Sequence, residues 1–131
     1  MKRILTIGGS DPFAGGGIQT DLKTFEDFGL FGLSALTSIG VLDTNGRFIL
    51  ESIPSELLER QLASIDQMTS LDGIKIGLLN SSEAIMVVRD FIKAKQNIPI
   101  ILDPVLAFKE TETVINGIFR SSSKNFFHLL R

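Results

Sequence analysis

The sequence contains no cysteine. A disulfide framework, a thiolate nucleophile and a zinc–thiolate site are therefore excluded. Its single histidine, His128, excludes a multi-histidine metal site and, lying in an apolar tail, is assigned no role. Charge of one sign is lacking too. Thirteen Lys and Arg stand against 15 Asp and Glu, a formal net charge of -2, which gives no support to a nucleic-acid partner. There is no long hydrophobic run. The longest nearly uncharged stretch, residues 28–42, carries Gly, Ser and Thr and is too short to span a bilayer, so no membrane partner is expected. The basic start Met1-Lys2-Arg3 leads into an apolar run that breaks at Gly8 and meets Asp11. No signal peptide is read there, and the expected location is the cytoplasm.

What is present describes an ordinary globular chain. Its 131 residues are 44% hydrophobic and 21% charged, which favours one compact domain and argues against disorder. Four short aliphatic runs, at residues 4–7, 34–42, 73–76 and 98–102, read as strands. The last has no polar face, as in a strand buried on both sides of a parallel sheet. Between them lie helical patterns: Ile18, Leu22, Phe25 and Phe28; then Leu58, Leu62 and Ile65 behind Pro54; then Ile85, Val88 and Ile92 behind Asn80, read as a cap with Glu83 three residues on. The order β-α-β-α-β-α-β predicts an α/β fold, a mainly parallel sheet covered by helices.

Open parallel sheets bind ligands at the carboxyl ends of their strands, and the unusual residues fall there. The first run is followed by Gly8-Gly9-Ser10-Asp11-Pro12-Phe13-Ala14-Gly15-Gly16-Gly17, the second by Asp43-Thr44-Asn45-Gly46, the third by Gly77-Leu78-Leu79-Asn80 and the fourth by Asp103-Pro104-Val105, with Lys109 beyond. A glycine-rich turn opening into a helix can present N–H groups to an anionic or polar ligand; a flexible surface turn would look the same. The loop is neither a Walker A motif nor the spaced dinucleotide fingerprint. Asp21 is expected in the first turn of the following helix. It serves there either as a dipole-stabilising charge or as an anchor for a ring nitrogen or hydroxyl. Asp103, at the end of an apolar strand, suits metal-bound water or a transferred phosphate. Lys109 could balance phosphate charge, although a lone loop lysine is usually solvated.

Four motifs occur together: Leu5-Thr6-Ile7-Gly8-Gly9-Ser10-Asp11, the stretch from Gly15-Gly16-Gly17 through Asp21-Leu22-Lys23-Thr24-Phe25, Ile74-Lys75-Ile76-Gly77-Leu78-Leu79, and Leu102-Asp103-Pro104-Val105. They closely resemble the phosphomethylpyrimidine kinase and pyridoxine kinase family of the ribokinase-like superfamily, over residues 2 to 109. The resemblance implies a three-layer αβα ribokinase-like fold and transfer of phosphate from ATP, with Mg2+, to a hydroxymethyl group on a small aromatic heterocycle. Carried over by position, Gly9, Gly16 and Asp21 line the substrate pocket, Leu78 and Val105 pack against the ring, and Asp103 belongs to the phosphate and magnesium region. The family commonly forms dimers, so a homodimer is among the implied partners.

Two departures stand out. The pyrimidine kinases typically place Gln before an Asn-Thr pair after the second strand, where this chain has Leu42-Asp43-Thr44. Leucine cannot hydrogen-bond an aminopyrimidine edge, and such a bond is worth about 1–3 kcal/mol when its loss leaves a partner unpaired. The reading therefore leans to pyridoxine, pyridoxal or pyridoxamine, with hydroxymethylpyrimidine as the alternative. Second, family members are longer, and their later half carries the anion hole, the catalytic base and most of the ATP pocket. Here residues 114–131 hold Arg120, Lys124 and Arg131 and no acid, against ten basic and fifteen acidic residues in 1–113. The expectation is the substrate-side part of a kinase, truncated at its C-terminus with an atypical tail. A substrate-binding half-domain without catalysis and a flavodoxin-like nucleotide module compete with it; the absence of a phosphate-gripping lysine in the glycine loop argues against the latter. The unpaired edge and exposed apolar face of a partial sheet predict poor solubility, or self-association through that edge. The 131-residue chain with pyridoxal or hydroxymethylpyrimidine should consume ATP weakly or not at all; rapid turnover would overturn the expectation that essential catalytic parts lie elsewhere.

Overall fold

A computed structural model describes residues 1–95 and 97–103. Val105 and Lys109, together with the atypical tail, lie outside the described residues. The elements run β1 (Arg3–Ser10), α1 (Gly17–Asp27), β2 (Phe31–Leu42), β3 (Phe48–Ser52), α2 (Ser55–Met68), β4 (Gly73–Ile76), α3 (Ser82–Lys93) and β5 (Ile100–Leu102). They form one five-stranded sheet in the order β3-β2-β1-β4-β5. The pairs β1–β2, β1–β4 and β4–β5 are parallel, and β2–β3 is antiparallel.

Alternation along β1 decides the layers. Leu5 and Ile7 face α2 and α3, where Leu58, Leu62, Ile74, Ile76, Ile85 and Val88 close a continuous core. Thr6 points to the opposite face, toward α1. On that side Gly32 gives α1 its close approach: a Cβ there would lie 2.7 Å from Leu22 Cδ2 and 3.1 Å from Phe25 Cδ2. Helices thus cover both faces, as expected for a three-layer fold.

The structure corrects several sequence expectations. Residues 43–46 do not form a rim loop between sheet and helix. They make the turn of a β2–β3 hairpin, with Asp43 Oδ1 accepting from Asn45 N at 2.8 Å and Arg47 N at 2.9 Å, and Gly46 at φ +78. An aspartate that opens the turn and a left-handed glycine are what this turn chemistry requires. β3, Phe48–Ser52, is a strand that the four aliphatic runs do not include. The cap of α3 is Ser81, whose Oγ accepts from Ala84 N at 3.0 Å; Asn80 instead donates to Ser52 Oγ at 2.7 Å. Pro54 precedes α2 as its N-cap. Finally, β5 buries Ile100 and Leu102 but leaves Ile101 exposed among the described residues.

Leu58 is fully buried and Met68, on the same helix, is 84% exposed. Leu58→Ala should cost about 2–5 kcal/mol through the cavity it leaves, and Met68→Ala no more than about 0.5 kcal/mol. Urea unfolding midpoints measure both.

Candidate functional site

Chain direction selects one crevice. From β1 the chain crosses by α1 to β2 on one side; from β4 it crosses by α3 to β5 on the other side, over the opposite face. The gap beyond the carboxyl ends of β1 and β4 is therefore a topological switch point, where open α/β sheets hold ligands. Near these ends lie Gly8-Gly9, in the last part of β1, and Gly77-Leu78, just past β4. Gly77 N donates to Ile7 O at 2.7 Å, and a Cβ on Gly8 would lie 3.8 Å from Gly77 Cα. The rim is thus floored by backbone.

One side of this floor is apolar. A Cβ on Gly9 would lie 3.8 Å from Leu78 Cδ2 and only 2.8 Å from Ser38 Oγ, so nothing larger than glycine fits without displacing Ser38. Thr37 Oγ1 fixes the neighbouring turn by donating to Leu78 O at 2.7 Å. Ser38 is fully buried, and its hydroxyl has no hydrogen-bond partner among the described residues.

The other side is charged. Lys75 projects from β4 toward α1, and its Nζ donates to Asp21 Oδ1 at 2.7 Å and to Oδ2 at 2.8 Å. Thr6 Oγ1 donates to Asp21 Oδ2 at 2.7 Å. The same Nζ lies 3.7 Å from Asp103 Oδ2. Asp21 and Asp103, 82 positions apart in sequence, thus share one ammonium. Asp21 lies in the second turn of α1, not the first, and its carboxylate is held by Thr6 and Lys75 rather than by the helix dipole. A ring anchored on Asp21 would bind beside those partners, not in place of them. Asp103 is the exposed member, with its side chain 72% accessible.

The glycine loop is organised from within. Asp11 accepts from Phe13 N at 2.9 Å through Oδ1, and from Gly15 N and Gly16 N at 3.0 Å through Oδ2. Gln19 on α1 accepts from Asp11 N at 2.9 Å and donates to Ser10 Oγ at 2.7 Å. Gly17 sits at φ +67, where a Cβ would meet Gly9 O at 2.5 Å. The amides expected to greet an anion, Gly16 among them, are therefore already engaged by the loop's own carboxylate.

Of the residues singled out in sequence, Gly9 and Leu78 meet, and Asp21 and Asp103 meet through Lys75. Gly16 caps α1. Leu42 stands apart at the exposed tip of β2, paired with Phe48. Sequence reasoning missed Lys75, Thr6, Asp11 and Gln19 as site residues. Lys75 had a readable signal: a lysine between Ile74 and Ile76 in a strand bounded by glycines. Among the described residues no group of three or more His, Asp or Glu is placed to hold a metal ion, and no helix is long and apolar enough to cross a membrane.

A family model described as phosphomethylpyrimidine kinase matches residues 11–129. The chain is 40% identical over 109 residues to hydroxymethylpyrimidine/phosphomethylpyrimidine kinase of Haemophilus influenzae, covering 83% of this chain and 40% of that protein. It is 36% identical over 117 residues to pyridoxine kinase of Bacillus subtilis, covering 88% of this chain and 43% of that protein. Among solved structures it is similar to pyridoxal kinase from Staphylococcus aureus in complex with AMP-PCP and pyridoxal, with a TM-score of 0.77 and 34% identity over 88% of this chain and 44% of that one. The chain spans less than half the length of these relatives.

Lys75→Met strands Asp21 in a partly buried setting, and should cost about 1–3 kcal/mol. The double variant Lys75→Met/Asp21→Asn should recover part of that loss, because the uncompensated charge goes with it. With Asp21→Asn also measured alone by chemical unfolding, a double-variant loss equal to the sum of the two single losses would show that the pair is not coupled.

Proposed function

The chain belongs to the phosphomethylpyrimidine kinase family, and from that premise we propose that it forms the substrate-side portion of an ATP-dependent kinase acting on the hydroxymethyl group of a vitamin heterocycle. The observation that carries this reading is the two-sided rim at the switch point. A flat ring needs an apolar face and a few polar anchors at its edge. Gly9 and Leu78 offer the face, with room for close approach, and the Asp21–Lys75 pair offers the edge.

In the transfer, the hydroxymethyl oxygen bonds to the γ-phosphorus while the bond from that phosphorus to the bridging oxygen breaks. ADP leaves with the electron pair, and the hydroxyl proton passes to a base. We assign no base to this chain. Its own residues orient the ring and set the charge around the phosphate, and phosphoryl transfer depends mainly on such positioning and charge stabilisation. Around the paired glycines the described rim carries Asp11, Asp21 and Asp103 against Lys75, so a nucleotide's phosphates need further positive charge here. That requirement fits Mg2+, which is held by one or two carboxylates together with phosphate oxygens rather than by an all-protein cage. Asp103, exposed and held to Lys75 only at 3.7 Å, is the carboxylate best placed to serve it, and the ion would supply charge neutralisation.

For the heterocycle we favour pyridoxine, pyridoxal or pyridoxamine. The support is the likeness to pyridoxine kinase of Bacillus subtilis and to pyridoxal kinase from Staphylococcus aureus, since Leu42 stands at the exposed tip of β2, away from the rim. The likeness to the Haemophilus influenzae enzyme favours hydroxymethylpyrimidine as the second reading.

Thermal shift of the purified chain separates the two. A saturating ligand at a hundred times its dissociation constant adds about 2.7 kcal/mol. Pyridoxal should raise the midpoint more than hydroxymethylpyrimidine does. A larger shift with the pyrimidine in the unsubstituted chain supports the second reading, and no shift with either ligand removes both.

A further inference from the structure

One strand glycine at the rim has its side-chain space filled from a neighbouring strand. A Cβ on Gly40 would lie 2.8 Å from Phe48 Cε2, nearer still to Phe48 Cζ, and 3.1 Å from Ser10 O. In backbone register Phe48 pairs with Leu42. Its ring therefore leans back along β2, away from the hairpin tip and toward Ser10, the last residue of β1.

Register sets the face on which this ring stands. Gly9 pairs with Ser38, and residues directly opposite each other on adjacent strands project to the same side. Gly40 follows Ser38 by two residues and shares that side, about 7 Å farther along the strand. Leu78 lies on it too, since its Cδ2 would be 3.8 Å from a Cβ on Gly9. The Phe48 ring is thus next outward from Gly9 and Leu78 on the same face of the sheet.

Phe13 in the glycine loop adds a second ring, with its centroid 6.3 Å from that of Phe48 and its plane tilted by 50°. Phe48 is 50% exposed and Phe13 64%, so both keep open surface. The chain has no tryptophan and no tyrosine. The other described phenylalanines, Phe25, Phe28, Phe31 and Phe91, belong to the later parts of α1 and α3 and to the start of β2, at the opposite rim. A ring laid over a strand glycine stabilises a sheet by that contact alone. That role asks for neither a second exposed ring nor a place beside the ligand crevice.

We propose that Phe48, buttressed by Phe13, forms the outer aromatic wall of the heterocycle site and replaces the side chain that Gly40 lacks. The inference rests on the proposed function and deepens it. Gly9 and Leu78 receive one part of the flat ring, the Asp21–Lys75 pair its polar edge, and Phe48 the part that extends toward β2. Aromatic rings attract in offset or edge-to-face arrangements at centroid separations of about 4.5–7 Å. Such a contact selects an aromatic ring over a sugar or an aliphatic alcohol. It does not choose between a pyridine and a pyrimidine, and that choice is left to the polar edge.

Pyridoxine, which has no aldehyde to react with lysine, is the probe for the full chain. In titration calorimetry Phe48→Leu should weaken its binding about fivefold, and that of hydroxymethylpyrimidine by a similar factor. Gly40→Ala keeps the ring but pushes it off the strand. It should weaken binding about as much, and Gly40→Ala/Phe48→Leu no more than Phe48→Leu alone. With labelled phenylalanine, the ring protons that vanish in Phe48→Leu should show nuclear Overhauser contacts to the pyridoxine methyl group in the unsubstituted chain. Unchanged affinity in Phe48→Leu, additive losses in the double variant, or no such contacts overturns the wall and leaves the proposed function standing. So does a lower urea midpoint in Phe48→Leu at full affinity, which assigns the ring to the sheet alone. No binding of either heterocycle to the unsubstituted chain removes the proposed function and the wall with it.

Discussion

The reversal of chain direction between β1 and β4 is the constraint from which the rest of the molecule follows. With neighbouring parallel strands departing to opposite sides and opposite faces, their carboxyl ends cannot both be roofed by their own connections. A crevice is left, and only residues without side chains can line it closely. The adjacent placement of Gly8 with Gly77, and of Gly9 beneath Leu78 and against Ser38, meets that demand. Glycine's cost in backbone entropy is accepted here because the gain is access to the strand ends.

The same geometry concentrates charge. Lys75 stands in the one strand that touches both β1 and β5, so its ammonium can reach a carboxylate on α1 and another past β5. Lys75, with 21% of its side chain accessible, is paired with Asp21 at 2.7 Å, and the pairing spans elements that would otherwise meet only through the sheet. Asp21, Lys75 and Thr6 thereby fix the side wall of the crevice, while Asp11 and Gln19 fix the glycine loop from within. Two networks, one on each side of Gly8, hold the rim in place through the chain's own contacts.

Much of this was legible in the residues. Aliphatic runs bounded by glycine located the parallel strands, and the turns after them located the rim, because both rest on local pattern. The hairpin was not legible. Asp43-Thr44-Asn45-Gly46 is both a turn signal and a polar loop at the ligand edge, and only the pairing of Phe48 with Leu42 decides between them. The Lys75 bridge escaped for a different reason: it depends on two carboxylates far apart in sequence, whose meeting is set by strand order. Asn80 and Ser81 show the limit of cap rules, since both are good caps and the difference is one residue of register.

The β2–β3 hairpin has a consequence for how the molecule comes apart. β1 lies between α1 on one face and the α2–α3 core on the other, but among the described residues β3 has no helical cover on either side. Its ladder bonds are shielded by little apolar surface, and free energies of local opening follow such shielding. The hairpin's amides are thus expected to exchange with solvent ahead of those of β1, the strand covered on both faces. The crevice is anchored on a shielded strand, and its outer panel on an open one.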